Sequence, residues 1–455
     1  MTSGDIDAAA AKSRMECSGC GAVVGLDEPY PFRCPNAGDG ADVDHVLVRR
    51  LDAGRVAFPD DGDDNPFLRY RELFRAHHLA EHAGLGDDAY VEIVERLDAA
   101  VAEVDGTGFR VTPFVREDDL SDRLGFEPDG GVWVKNETGN VSGSHKARHL
   151  MGLAIHLDVA ETAGLIEPEA REGRPLAIAS CGNAALAAAV VARAAGRRLQ
   201  VFIPTDADPV VVARLKELEA DLVVAPREPG VPGDPTYHAL KRALADGALP
   251  FTCQGNENGL AIEGGIPLGY EMAQQLGGEC FERVVVQVGG GALASAVTQG
   301  LREASELGAM PCLPGLHAVQ TTGASPLPRA FDLVREWRDR QGATIADTIA
   351  YARAHRSEFM WAWEDEPHSV AHGILDDETY DWLAVVRALL ATDGSAVVVD
   401  EDTLREANEL GFQSTGIPGD HTGTSGLAGL LELRRQGMIG DDERVAVLFT
   451  GIRRQ

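Results

Sequence analysis

The sequence has little that would suit a nucleic-acid-binding, membrane or disulfide-stabilised protein. Its 41 Lys and Arg residues stand against 72 Asp and Glu residues, and the net charge of −31 repels nucleic acid and anionic membrane surfaces. No apolar run approaches the roughly 18 residues that span a bilayer, and no signal peptide is recognisable. Seven cysteines are too few and too scattered for a disulfide framework. We therefore expect a cytoplasmic globular protein with a small-molecule ligand.

The N-terminal segment, residues 1–62, is unlike the rest. Its first 14 residues are small and polar and are predicted to be disordered. Four potential metal ligands follow, namely Cys17, Cys20, Cys34 and His45. Tetrahedral zinc takes four Cys or His ligands, but the second cysteine pair is incomplete, so both a zinc knuckle and a degenerate, metal-free ribbon remain open.

A turn-rich acidic stretch, residues 58–66, predicts a linker to a core over residues 63–455. In this core, β-branched runs alternate with Ala- and Leu-rich helical patterns, which predicts an α/β fold with doubly wound parallel sheets. The predicted strands are residues 132–135, 176–179, 199–203, 222–224, 284–288, 316–319 and 445–449. The predicted helices include residues 145–157, 184–195, 209–219, 264–276 and 292–306. Ligands of such folds bind where the strands end.

After the first of these strands, a loop of small residues leads to Lys146, one of only five lysines in the chain. A partly desolvated lysine amine can form a Schiff base with an aldehyde, whereas an arginine guanidinium cannot. An isolated lysine at the start of a helix is more often a surface residue. The loops that follow the other strands therefore decide what Lys146 does.

Three other strand ends carry small or hydroxyl residues. The loop Ser180-Cys181-Gly182-Asn183 opens a helix, where free amides favour a carboxylate and the Asn183 amide suits a phenolic oxygen. The run Gly289-Gly290-Gly291-Ala292 opens another, and consecutive glycines form a nest for phosphate. The last strand ends at Thr450-Gly451, where a hydroxyl could meet a pyridine nitrogen.

The glycine run also fits the loose G-x-G-x-x-A fingerprint of dinucleotide-binding proteins at Gly289, Gly291 and Ala294. That alternative requires an acidic residue at the end of the next strand to bind ribose. The next strand ends instead with Gln320-Thr321-Thr322, which counts against a dinucleotide.

Together the four loops resemble fold type II pyridoxal phosphate-dependent enzymes, and specifically the threonine synthase branch of this family. Residues 137–148, E-T-G-N-V-S-G-S-H-K-A-R, are similar to its Schiff-base motif E-x-x-N-P-T-G-S-F-K-D-R, and the other landmarks follow in the family's order. The resemblance covers about residues 65–455. It implies two parallel-sheet subdomains with the cofactor between them, the smaller at about residues 142–255 inserted into the larger, and a homodimer.

Carried over by position, the resemblance implies Lys146 as the Schiff-base lysine and transimination base. Asn183 would contact the cofactor's 3-oxygen, Thr450 its pyridine nitrogen, and Gly289, Gly290, Gly291 and Ala292 its phosphate. The substrate would meet Ser144, Ser180, Cys181 and Gly182. Because a hydroxyl does not force the pyridine nitrogen to stay protonated, elimination or replacement is favoured over transamination.

The chain departs from the family at Val141, His145, Ala147 and Cys181, all near the expected substrate. Threonine synthases bind the phosphate of O-phosphohomoserine, and Arg148, His149 and Ser144 are candidates for that contact. A threonine synthase-like lyase is the first hypothesis. The alternatives are β-elimination or β-replacement, as in serine or threonine dehydratases and cysteine or cysteate synthases, a non-catalytic cofactor-binding protein, or a zinc-knuckle interaction module on a metabolic scaffold.

Overall fold

The computed structural model describes residues 11–38, 42–60, 62–227 and 233–454. The strands are Ser13–Cys17 (β1), Val23–Val24 (β2), Leu47–Leu51 (β3), Phe114–Arg116 (β4), Gly131–Asn136 (β5), Leu176–Ala179 (β6), Leu199–Ile203 (β7), Asp221–Val224 (β8), Leu249–Pro250 (β9), Arg283–Gln287 (β10), Gly315–Thr321 (β11), Ser395–Val399 (β12) and Arg444–Phe449 (β13).

The first α-helices are Pro66–Arg69 (α1), Arg75–His82 (α2), Gly86–Asp105 (α3), Asp118–Arg123 (α4), Lys146–Thr162 (α5), Pro168–Gly173 (α6), Asn183–Ala194 (α7), Pro209–Glu217 (α8) and Pro235–Ala245 (α9). They are followed by Ala261–Gly265 (α10), Pro267–Gln275 (α11), Ala292–Glu306 (α12), Pro326–Gln341 (α13), Ile345–Ala354 (α14), Trp382–Ala391 (α15), Glu401–Thr415 (α16) and Ser425–Arg435 (α17).

The main sheet has six strands in the order β12-β11-β10-β13-β5-β4, and only the edge strand β4 is antiparallel to its neighbour. Its central strands are almost continuously apolar because both faces are covered. Along β10, Val285 packs in one hydrophobic cluster with α17, whereas Val284 and Val286 pack in the other with α12. The α/β fold predicted from the sequence is thus confirmed.

A second sheet of four parallel strands, in the order β8-β7-β6-β9, lies within residues 176–250. Helices α7, α8 and α9 belong to the same stretch of chain. This region falls inside the smaller subdomain predicted for residues 142–255. The boundaries at residues 62, 142 and 255 remain predictions.

The N-terminal segment forms a small antiparallel sheet, β2-β1-β3. The prediction that residues 1–14 are disordered is therefore wrong for residues 13 and 14, which belong to β1. The Ser13 side chain is hydrogen-bonded to the buried His78. Residues 1–10 lie outside the described residues. The segment packs on the core, since Gly259 N donates to Phe32 O at 2.9 Å and the His156 ring lies 3.1 Å from Pro29 O.

Helix α5, which begins at Lys146, is the most enclosed helix near the predicted site. Every residue from Ala147 to Ala160 is buried. A helix that is buried all round shows no amphipathic stripe, which explains why the sequence pattern ended it at residue 157 and not at Thr162. The predicted helix 264–276 is divided at Pro267, whose missing N–H begins α11 as a new helix.

All seven predicted strands are present, with bounds that shift by at most two residues. Cys280 and Cys312 form a single disulfide among the described residues, which joins the segments preceding β10 and β11 and does not amount to a framework. Among the helices of the described ranges, none combines the length and the apolar character needed to cross a membrane.

Candidate active site

The loop that carries Lys146 is bonded to the segment that follows the central strand β13. His145 N donates to Thr450 O at 3.1 Å, and Ile452 N donates to Gly143 O at 2.8 Å. Gly143 has a φ of +67° and no room for a side chain, because a Cβ there would overlap Ile452. Since β5 and β13 are parallel neighbours, their following loops emerge side by side. Main-chain bonds therefore hold Lys146 beside Thr450.

Four fully buried charged side chains brace this loop, and we call them the buried charge cluster: Lys135, Glu137, Arg148 and Glu271. Arg148 donates through Nε to Glu137 Oε2 at 2.8 Å and through Nη1 to Glu271 Oε1 at 2.6 Å. Lys135 also donates to Glu271. Arg148 and Lys135 hold the pKa of Glu271 below its usual value despite burial. Two positive and two negative charges thus compensate each other without water.

The prediction that Arg148 or His149 could bind a substrate phosphate does not fit this geometry. Both Arg148 and His149 are fully buried, and Arg148 is saturated by two carboxylates. Nδ1 of His149 lies 2.8 Å from Ala261 O, and burial lowers the pKa of His149 to about 3. Burial also holds the pKa of His145 well below its usual value. Arg148 therefore braces the loop, while Nε2 of His145 and Nε2 of His149 are buried and have no hydrogen-bond partner among the described residues.

Thr450 has its hydroxyl available for a further bond. Its Oγ1 accepts a hydrogen bond from Gln287 Nε2 at 2.7 Å, and Gln287 Nε2 also donates to Gly423 O at 2.8 Å. Because the Thr450 oxygen is used as an acceptor, its own proton can be donated elsewhere. No sequence motif marks Gln287, and its position at the end of β10 is the only hint.

Asn183 begins α7 next to Gly451. Its Oδ1 accepts from Arg454 Nη2 at 2.8 Å, and the same Arg454 nitrogen donates to Ser142 O at 2.8 Å. A Cβ on Gly451 would lie only 2.8 Å from Asn183 Nδ2, which also bonds to the Asp420 carboxyl. With Oδ1 engaged by Arg454 and one N–H engaged by Asp420, the Asn183 amide has one N–H left to donate. Sequence reasoning did not find Arg454 or Asp420.

The glycine run after β10 is enclosed by an acidic segment that precedes α15. Gly291 is the N-cap of α12 with a φ of +101°, so the free amides of the first helical turn lie beside the loop. A Cβ on Gly289 would overlap the Asp376 carboxylate, and one on Gly290 would lie 2.7 Å from the Tyr380 ring. A side chain at Gly289 or Gly290 would therefore have to displace Asp376 or Tyr380.

Carboxylates lie close enough to Lys146 for its charge to act on them. Burial raises the pKa of Asp376 to about 6 and that of Asp381 to about 8, while Lys146 opposes both shifts. Burial also raises the pKa of Cys253, and Lys146 again opposes the shift. The surroundings of Lys146 are acidic, and the sequence pattern did not predict Asp376 or Asp381.

The loop Ser180-Cys181-Gly182 is the accessible side of the site, and Cys181 is exposed. Desolvation in the cleft and the carboxylates of Asp206 and Asp234 raise the pKa of the Cys181 thiol. On the enclosed side, Ser144 pairs with Gly451 in an isolated bridge. Within the described residues, the fully buried Oγ of Ser144 has no hydrogen-bond partner, so it is free to bond to a ligand.

The four potential zinc ligands are brought together in the N-terminal segment. Their ligand atoms all lie within 4.8 Å of one another. Cys17 Sγ lies 3.6 Å from His45 Nδ1, and Cys20 Sγ lies 3.6 Å from Cys34 Sγ. A tetrahedral ion with Zn–S bonds of about 2.3 Å separates its sulfur ligands by roughly 3.8 Å. The geometry thus suits a single tetrahedral ion.

Comparisons with known proteins cover most of the predicted core. A family model described as "Pyridoxal-phosphate dependent enzyme" matches residues 106–451. Threonine synthase of Methanocaldococcus jannaschii is 26% identical over 342 residues, which cover 75% of this chain and 74% of that one. Phenylserine dehydratase of Ralstonia pickettii is 26% identical over 356 residues, which cover 77% of this chain and 92% of that one.

Among solved structures, maize serine racemase matches with a TM-score of 0.57 and 16% identity, covering 80% of this chain and 94% of that chain. The processed form of threonine deaminase isoform 2 from Solanum lycopersicum matches with a TM-score of 0.55 and 18% identity, covering 81% of this chain and 91% of that chain. At these identities the likeness is one of fold. It agrees with the α/β architecture that carries the four loops described above.

The buried charge cluster gives the first test. We expect Arg148→Met to lower the free energy of unfolding by about 3–5 kcal/mol, because it leaves two buried carboxylates with one cation. Urea unfolding followed by circular dichroism measures the change. The control is Arg123→Met, which breaks an exposed pair with Asp119 and should cost about 1 kcal/mol or less. Equal losses in the two variants would contradict a bracing role for the cluster.

Proposed function

The chain belongs to the family of pyridoxal-phosphate dependent enzymes, and from this premise we propose that Lys146 binds the cofactor's aldehyde. The enzyme has the fold type II architecture and is a threonine synthase-like lyase that eliminates or replaces a β or γ substituent of an amino acid. A non-catalytic protein is not what its relatives indicate. What remains to be proposed is which residues act and on which substrate.

The residues around Lys146 fit such a cofactor. The glycine run at the start of α12 offers amides to a phosphate and has no room for side chains at Gly289 and Gly290. The Thr450 hydroxyl has a proton to donate to a pyridine nitrogen. The Asn183 amide, oriented by Arg454, offers an N–H to a phenolic oxygen. The buried Ser144 hydroxyl is a further donor for the cofactor or the substrate.

When bound, pyridoxal phosphate withdraws electrons from the α-carbon of an amino acid. Residues of this chain would move the proton and bind the substrate. The Lys146 amine would be the base that takes the proton from the substrate's Cα. The amides of Ser180, Cys181 and Gly182 bind the substrate carboxylate. Thr450, a neutral partner for the pyridine nitrogen, favours departure of a substituent over transamination.

We propose that the leaving group carries no phosphate. The observation behind this is that Arg148 is saturated by Glu137 and Glu271, while the groups whose pKa responds to Lys146 include the carboxyls of Asp376 and Asp381. A phosphate on the leaving group would gain no contact from Arg148, and the Asp376 carboxyl, charged above its pKa of about 6, would repel it. A hydroxy or acyloxy amino acid fits better, and the similarity to phenylserine dehydratase supports that choice.

The role of Lys146 is tested by removing its amine. We expect the wild-type protein to show visible absorbance that collapses on borohydride reduction and leaves a mass increment on the Lys146 peptide, because only an imine is reduced in this way. Lys146→Ala should lose the absorbance band and at least about a thousandfold in kcat, the order expected when a catalytic group is removed. The exposed Lys216→Ala is the matched control and should keep both. A wild-type protein that never gains the band with added cofactor would refute the proposal.

The nature of the leaving group is tested by a substrate panel. We expect ketoacid or replacement product from serine, threonine, phenylserine or O-acetylserine, and at least about tenfold lower kcat/KM for O-phosphohomoserine and phosphoserine, because the cleft is acidic. Ketoacid, phosphate and new amino acids are followed separately. A clear preference for either phosphorylated substrate would overturn the assignment and favour threonine synthesis proper.

A second proposal concerns the N-terminal segment, where we infer that Cys17, Cys20, Cys34 and His45 bind one zinc ion. The support is the common approach of the four ligand atoms and the 3.6 Å separation of the paired donors. Zinc thiolate sites of this kind stabilise a fold that has little core of its own. A structural role follows, because the cluster lies in the β1–β3 segment that packs on the core and not in the cleft.

Metal analysis tests this site. We expect about one zinc per chain in the wild-type protein and loss of most of it in Cys34→Ser and His45→Ala, since three ligands bind zinc much more weakly than four. The buried Cys253→Ser, whose thiol lies outside the cluster, should keep the metal. A wild-type protein without zinc after growth in zinc-supplemented medium would favour the metal-free ribbon. The cytoplasmic location and the homodimer remain predictions.

A further inference from the structure

A short acidic segment, residues 376–381, lies across the glycine run, and we call it the acidic strap. Asp381 N donates to Gly290 O at 2.9 Å, which ties the strap to the run by its main chain. A Cβ on Gly291 would lie 2.9 Å from Asp381 Cβ and 3.2 Å from Thr379 Cγ2. The strap and the glycine run are therefore in van der Waals contact along their length.

Asp376 is the strap residue that faces the amides. Its carboxylate accepts a hydrogen bond from the Gly290 main chain, and its Oδ2 lies where a side chain of Gly289 would be. Phosphate bound to a glycine nest uses the same kind of main-chain donors. A negatively charged carboxylate and a phosphate dianion would thus share one small group of amides.

The groups around Asp376 cannot neutralise both its carboxylate and a bound phosphate. Lys146, from α5, is the cation whose charge acts on Asp376. Asp234, from the N-terminus of α9, and Asp377, from the strap itself, both repel it. Of the other titratable groups nearby, Tyr380 and Cys253 have a raised pKa and are neutral at pH 7, as is the Asp381 carboxyl, whose pKa is raised to about 8.

We propose that Asp376 takes up a proton when the cofactor's phosphate binds to the glycine run, so that the affinity for the cofactor falls as the pH rises. This rests on the proposed placement of the phosphate at Gly289 to Ala292. A protonated carboxyl donates a hydrogen bond to a phosphate oxygen, whereas a carboxylate repels it. Asp376 then becomes part of the phosphate site in the protonated form only.

The direction of the effect follows from linkage. The pKa of Asp376 is already raised to about 6 by burial, and a neighbouring phosphate raises it further. Asp376 thus has a lower pKa before the phosphate binds and a higher pKa afterwards. Below the lower pKa its carboxyl is protonated before binding, and no proton is exchanged. Between the two values binding takes up one proton, and the dissociation constant rises by up to about tenfold per pH unit.

The test compares cofactor affinity in the full-length wild-type protein and in Asp376→Asn, both freed of cofactor, between pH 6 and pH 8.5. Dissociation constants for pyridoxal phosphate are measured by the change in absorbance. Ionisation of the cofactor and of Lys146 occurs in both proteins, so the ratio of the two constants isolates Asp376. We expect the wild-type to Asp376→Asn ratio to rise by at least about tenfold across this range, because the amide carries no proton to exchange.

The same titration with pyridoxal, which lacks the phosphate, separates the phosphate from the aldehyde end. A ratio that rises for pyridoxal phosphate and stays constant for pyridoxal supports the proposal. A ratio that stays constant for both ligands overturns the proposal. A ratio that rises for both ligands also overturns it, because Asp376 would then act through Lys146 and not on the phosphate. Asp377→Asn is the matched control and should retain the wild-type slope, and Asp376→Ser should behave as Asp376→Asn. If pyridoxal phosphate gives no absorbance band at all, the proposed function fails instead.

Discussion

The interaction on which the site depends is the compensation of charge inside the buried charge cluster. Glu137 follows β5, Arg148 lies in the first turn of α5, Glu271 lies in α11 and Lys135 lies in β5, so four charges from three elements meet without water. An unpaired buried charge costs several kcal/mol, so a packing of these elements that separates the pairs is disfavoured. Lys146 lies between Glu137 and Arg148 in sequence, and its position follows from that arrangement.

Main-chain bonds extend this constraint to the rest of the site. The lysine loop is bonded to residues 450–452, these lie against Asn183, and Gln287 joins Thr450 to the loop at Gly423. The lysine loop is therefore connected by hydrogen bonds to the neighbouring loops of the site. The loop at Ser180 to Gly182 is more accessible, with Cys181 exposed, which suits a surface that must admit and release a substrate.

The elements that could be predicted from the sequence are those whose pattern depends on residues close together in the chain. Buried parallel strands read as apolar runs, so the strands of both parallel sheets and the loops that follow them could be predicted. The roles of Lys146, Asn183, Gly289 and Thr450 came from the family resemblance and remain proposals. Strands β2, β4 and β9 were missed because they have two or three residues, and β3 and β12 lie on sheet edges. Strand β1 was missed because it begins within the N-terminal residues predicted to be disordered. The role of Arg148 was misjudged because a residue two positions from a reactive lysine looks functional, while its partner Glu271 lies 123 positions away. No sequence pattern indicates the acidic strap, because its proposed role depends on its contact with the glycine run, which only the structure shows.

The order of strands in the main sheet has a consequence for the newly made chain. Strand β13 lies between β10 and β5, yet it follows both of them, and every other strand of the described residues, in the sequence. Until the ribosome has delivered residues 444–449, β4–β5 and β10–β12 can form only two separate half-sheets, each with an unpaired apolar edge. Such edges promote aggregation, so we expect the nascent enzyme to need chaperone protection until its central strand closes the gap.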